Sequence, residues 1–180
     1  DLPDLIVFAK GVNSGYVPLG GVIISDEIAA TFNDRVFPGG LTYSGHPLAT
    51  AAAVATIDVM AEEKIVENAA TIGENVIKPL LQELMAKHKV IGEVRGKGVF
   101  WALDLVTNRA TRAPLAPYGA SSPAMNELVA ACKKLGLFPF NNYNRMHICP
   151  PCNVTEAEIR EGFAILDQAF ASIAHHYTGA

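Results

Sequence analysis

Little in this sequence suits a membrane, a nucleic acid or a disulfide framework. No apolar run approaches the ~18 residues needed to cross a bilayer. No basic block exists: 14 Lys and Arg stand against 18 Asp and Glu, for a net charge of -4. A polyanion therefore has no footprint to bind. The opening residues, Asp1-Leu2-Pro3-Asp4, lack the basic and apolar regions of a secretory leader, and no initiator methionine stands before them. The expectation is a fragment or processed chain of a cytoplasmic protein. Cysteine is scarce, and three cysteines cannot all pair. Cys149 and Cys152 form C-P-P-C, with His147 close by. One reading is a redox dithiol or half a metal site. The other is reduced thiols at a strand end, favoured because no second C-x-x-C follows and Cys132 lies in a separate helical pattern.

What is present is apolar. Half of the 180 residues are hydrophobic, enough to bury the core of one or two domains. Residues 5–9 and 19–25 read as buried strands, short and bounded by Gly, Pro and Asn. Residues 26–33 read as a short helix with Asp26 as N-cap. A long, buried, alanine-rich helix is expected over 48–63, with Pro47 in its first turn. A second helical pattern runs from 64 to 88, and Pro79 should kink or split it. "KVIGEVRGKGVFWALDLVT" turns strand-like around its glycines, and residues 108–121 read as a loop. Ser122 and Pro123 open a helix to 135. "LFPF" and "RMHIC" pair as short strands across Asn141, Asn142 and Tyr143. Thr155 and Glu158 form a capping box for a last helix, to about residue 175. Strands and helices alternate, so the class is α/β or α+β, with a division near residue 62.

One lysine stands out. In "LIVFAKGVNSGYVPLGGVIIS" the first strand pattern ends on Lys10, and a loop rich in glycine follows. One reading is a surface lysine whose stem covers apolar atoms while its ammonium reaches water. The other places Lys10 at the mouth of a sheet, where ligands bind. A neutral amine held there attacks a carbonyl and forms a Schiff base. Gly11 leaves room beside it for a bulky planar group. As a phosphate cradle, "GVNSG" by itself is weak.

This segment resembles the active-lysine segment of class III aminotransferases, which use pyridoxal 5'-phosphate (PLP) and have fold type I. "GLTYSGHPLATAAAVATIDVM" resembles the family's cofactor-phosphate segment, "VIGEVRGKGVFWALDLV" its small-domain segment, and "RMHICPPCNVTEAEI" its C-terminal segment. The four stand in the family's order and cover essentially the whole chain. The resemblance implies the C-terminal part of the large PLP-binding domain over 1–62 and the small α+β domain over 63–180.

It also implies roles. Lys10 would carry PLP and move a proton between substrate and cofactor. Thr42 would reach the phosphate of the partner subunit's PLP, which requires a homodimer with shared sites. Read without the family, Thr42 and Ser44 are helix caps. Arg145 would grip a substrate carboxylate; otherwise it is a surface or interface ion pair. Arg95 is expected to brace the small domain, Trp101 and Phe100 to be core, and Tyr16 to line the substrate pocket. Asn13 stands where relatives often have threonine. No metal is expected. The acid that pairs with the pyridinium nitrogen, the glycine-serine phosphate segment and the stacking aromatic lie outside this sequence, so the isolated chain is expected to be incompetent. The implied activity moves an amino group from an amine or ω-amino acid to pyruvate or 2-oxoglutarate. A PLP aminomutase or decarboxylase, and a non-catalytic dimerisation fragment, stay open as alternatives.

Overall fold

A computed structural model describes residues 2–179. The chain divides into two compact units, Asp1–Lys64 and Ile65–Ala180. In the first, β1 (Leu5–Ala9) pairs antiparallel with β2 (Gly20–Ile24), in register from Leu5↔Ile24 to Ala9↔Gly20. Phe8 faces Gly21 across the pair, and its ring fills the space a Cβ there would need. α1 (Asp26–Ala30) is capped by Ser25, whose Oγ accepts from the Ile28 N–H at 3.4 Å. The cap is thus one residue before the expected Asp26, because the shorter serine reaches back to the third amide. α2 (Pro47–Glu62) begins on its proline.

These elements are not buried as their composition suggested. Leu5, Val7, Val22 and Ile23 are exposed, and only Ala49 and Ala53 of α2 are buried. A two-stranded ribbon and two helices offer too little surface to cover strands that are apolar on both faces.

The second unit has its own core. α3 (Ile65–Ile72) widens into a π-helical turn, Gly73–Ile77, before α4 (Lys78–Lys87). The wide turn sits just ahead of Pro79, where the helix loses an amide donor. β3 (Ile91–Lys97) and β4 (Phe100–Asn108) form a hairpin whose turn holds Gly98 at φ +56°. β5 (Ala113–Pro114) pairs with the far end of β4. α5 (Pro123–Lys134) follows, with Ser122 Oγ accepting from the Met125 N–H at 3.2 Å. β6 (Phe140–Asn142) and β7 (Arg145–Ile148) complete an antiparallel sheet of order β3-β4-β7-β6. α6 (Glu156–Ser172) starts with both arms of the Thr155–Glu158 capping box in place.

One face of this sheet is core. Leu103, Leu105 and Met146 are buried with Leu81 of α4, Leu128 of α5 and Phe170 of α6. Each such side chain contributes roughly 1.5–3 kcal/mol by leaving water. Cys132 belongs to this core, and burial pushes its thiol up to about 11. Arg109 closes α4: its guanidinium donates to the carbonyls of Met85, His88, Lys89 and Ile91. A cation at a helix C-terminus satisfies the orphan carbonyls and the helix dipole together. Among the described residues no helix is long and apolar enough to cross a membrane.

Candidate active site

Lys10 begins a short 3₁₀ turn, Lys10–Asn13, directly after β1. Its backbone is left-handed, with φ +54°, as are Ser14 at +54° and Gly15 at +78°. For a lysine that conformation costs of order 1–3 kcal/mol, and such strain concentrates at functional sites. The neighbourhood holds it there. Asn13 is 1% exposed and its Nδ2 donates to Val17 O, tying the turn to the approach of β2. Ser14 N–H donates to Gly11 O at 3.2 Å. α2, whose buried residues are Ala49 and Ala53, packs against this same turn. Small side chains on that helix let the two backbones approach.

Lys10 lines an open cleft of about 570 Å³ with Ala9, Asn13, Gly15, Pro18 and Gly20. A Cβ placed on Gly11 would meet nothing within 4 Å, so the space beside the lysine is free. Tyr16, expected to line the pocket, is 83% exposed and is not among the lining residues. The importance of Asn13 was the missed signal. It lies in "GVNSG", where the sequence marked it only as standing in place of a threonine, yet it is the buried polar side chain that ties the turn to Val17.

Thr42 is exposed in the turn before α2. The N-cap of α2 is His46, and no side chain caps it. Neither Thr42 nor Ser44 therefore serves as the helix cap. His46 Nδ1 is buried and unpaired among the described residues.

Arg145 belongs to the second unit, on the sheet face away from the core. There it pairs across the strands with Asp104 of β4 and Asn142 of β6. Asp104 is already taken: Arg95 of β3 forms an ion pair with it, and Glu93 Oε1 lies 3.6 Å from the same guanidinium. The hydrogen bond to Asp104 is the main reason the Arg95 pKa is raised. Arg95 thus braces the sheet, as expected. Among the described residues, no carboxylate pairs with Arg145. His147, two residues along, stacks between Phe100 (6.0 Å) and Phe140 (4.9 Å). Phe100, expected in the core, is instead 63% exposed on this outer face, while Trp101 is buried and donates to Gly98 O at 2.7 Å. Burial first, and the Arg145 charge second, lower the His147 pKa. Cys149 and Cys152 are exposed just beyond β7, and among the described residues neither joins a group of metal-ligating side chains.

Comparison with known proteins now places the fold. The taurine:2-oxoglutarate aminotransferase of Bifidobacterium kashiwanohense, solved with PLP and glutamate, superposes with a TM-score of 0.89 at 38% identity, over 98% of this chain and 39% of that one. The architecture is that of PLP-dependent transferases of fold type I. The family model "Aminotransferase class-III" matches residues 1–170, and the chain belongs to that family. The taurine–pyruvate aminotransferase of Bilophila wadsworthia is 34% identical over 95% of this chain and 39% of its own length. The 5-aminovalerate aminotransferase DavT of Pseudomonas aeruginosa is 37% identical over 96% and 39%. The chain thus spans about two fifths of the length of the relatives it matches.

Proposed function

We propose that the protein is a PLP-dependent transaminase in which Lys10 is the catalytic lysine. The carrying observation is a lysine held in a strained left-handed turn at the end of β1, lining a cleft, in a chain of the class-III family. The residues present fit the cofactor. The cleft volume lies within the roughly 300–1,000 Å³ of small-molecule sites. The free space over Gly11 admits a flat ring beside the amine.

Bound there, PLP supplies the electron sink that stabilises the carbanion formed when a substrate C–H bond breaks. Lys10 Nζ would hold the cofactor, and the same amine would serve as the base and acid that moves a proton to and from the substrate carbon. Asn13, through Val17 O, holds the turn from which the exposed Lys10 side chain departs, and so fixes where its stem begins. Thr42 Oγ1 binds phosphate from the exposed turn before α2, and in a homodimer it does so in the partner's site. Arg145 Nη atoms bind the substrate carboxylate, since the neighbouring Asp104 is held by Arg95. The amino donor is a primary amine or ω-amino acid, and the acceptor is pyruvate or 2-oxoglutarate, the acceptors named for the taurine enzymes it resembles. Residues 1–64 form part of the large cofactor-binding domain, and residues 65–180 the small domain. Free cysteines favour the cytoplasm.

The test is borohydride reduction of the full-length protein loaded with PLP, followed by peptide mapping, beside its Lys10→Ala variant. Reduction should fix the cofactor on the Lys10 peptide. The variant should lose the visible cofactor band and all measurable amine-to-pyruvate turnover. Cofactor fixed on another lysine, or near-normal turnover in Lys10→Ala, removes Lys10 from this role. Release of carbon dioxide or of an amino isomer instead of a carbonyl product removes the transaminase assignment.

A further inference from the structure

Away from the cleft, we propose that Glu127, His175 and His176 form a binding site for a divalent transition-metal ion of the zinc type. This inference is independent of the transaminase reading. Glu127 projects from the second turn of α5, and the two histidines from the 3₁₀ turn Ala174–His176 that follows α6. Both supports are fixed by core side chains: Leu128 beside Glu127, and Phe170 and Ile173 before the histidines, are each 0% exposed. Beyond the turn, the Tyr177 hydroxyl accepts from the Arg109 N–H at 3.3 Å.

The donor atoms converge. His176 Nε2 lies 3.0 Å and His175 Nε2 3.8 Å from the same Glu127 oxygen, and all three ligand atoms fall within 4.8 Å of one another. Ligands about 2.0–2.1 Å from a tetrahedral zinc stand roughly 3.3 Å apart. Modest side-chain rotation therefore closes the site.

The tautomer of His175 points the same way. Its Nδ1 lies 3.1 Å from the Ser172 carbonyl oxygen, so it carries the hydrogen and donates there. In the neutral ring Nε2 is then bare, and it lies 3.8 Å from a carboxylate oxygen. Two acceptors this close together invite a shared cation. Anchoring the second ring nitrogen on a backbone carbonyl is also how metal-bound histidines are oriented. His176 joins when its proton moves from Nε2 to Nδ1. Two imidazoles and one carboxylate suit Zn²⁺, Ni²⁺ or Cu²⁺ rather than Mg²⁺ or Ca²⁺, which prefer oxygen ligands. The bound ion ties the turn after α6 to α5.

The test titrates Zn²⁺ into the intact, untagged, metal-stripped protein in competition with a chromophoric chelator. Glu127→Gln, His176→Gln and the Cys149→Ser/Cys152→Ser double variant are run alongside. One saturable equivalent is expected, weakened at least about tenfold in both Glu127→Gln and His176→Gln and retained in the double cysteine variant. Glu127 and both histidines are partly or largely exposed, so these substitutions leave the core intact. Absence of a saturable equivalent, an equivalent unchanged in either single variant, or one lost only with the cysteines overturns the site.

Discussion

Asp104 faces two arginines and serves one. Its pair with Arg95 spans the β3–β4 hairpin and leaves the guanidinium of Arg145 unpaired among the described residues. An arginine without a carboxylate on its own sheet is suited to one that arrives with a substrate. If Arg145 fills that role, removing it strips a bidentate, charge-assisted contact worth about 1.5–3 kcal/mol. Arg145→Ala should therefore raise KM for pyruvate and 2-oxoglutarate by roughly 10- to 100-fold. KM for an aldehyde acceptor without a carboxylate should stay unchanged. Steady-state kinetics with both acceptor types decide it, and equal effects on the two would sink the assignment. Arg145 was visible in the sequence as an arginine between a polar turn and a strand. That its neighbour is occupied by Arg95 was not, because cross-strand register sets it and no local pattern reports register.

Local rules carried the elements whose boundaries are set locally. The capping box at Thr155, the Ser122 cap and the proline at the start of α2 all stand where side-chain chemistry put them. Burial was misjudged in β1, β2 and α2, since apolar composition states what a segment prefers and not what lies against it. The left-handed backbone of Lys10 was equally hidden, because tertiary packing imposes it on a residue with no preference for it. The contact between the wide turn of α3–α4 and the β3–β4 hairpin was also illegible. A Cβ on Gly73 would lie within 2.5 Å of Gly98 Cα and closer still to its carbonyl. That obstacle is backbone, so Gly73→Ala must push the hairpin off the helix. The expected loss is about 1–3 kcal/mol, as for overpacked cores. Gly162, inside α6, has nothing within 4 Å of its Cβ position. Gly162→Ala should instead stabilise by about 0.5–1 kcal/mol through helix propensity. Thermal or denaturant midpoints of the two variants should move in opposite directions, and parallel shifts would refute the contact argument.

At the scale of the molecule, the proposed assembly has a consequence that no single chain can show. Lys10 and Thr42 lie on the same unit, yet the proposal assigns them to different active sites. Suppose each site of a homodimer takes Lys10 from one protomer and Thr42 from the other. A hybrid of one Lys10→Ala chain with one Thr42→Ala chain then contains one site carrying both lesions and one carrying neither. Two differently tagged chains, co-expressed and purified through both tags, isolate that hybrid. It should regain about half of wild-type turnover, because one of its two sites is intact. The Lys10→Ala homodimer should be inactive, and the Thr42→Ala homodimer should lose cofactor on dialysis. Were both residues to serve the same site, every site of the hybrid would carry a lesion: one would lack the lysine, and the other would release its cofactor. Recovery to half activity with retained cofactor therefore requires the exchanged arrangement, and a hybrid no better than the Thr42→Ala homodimer rules it out.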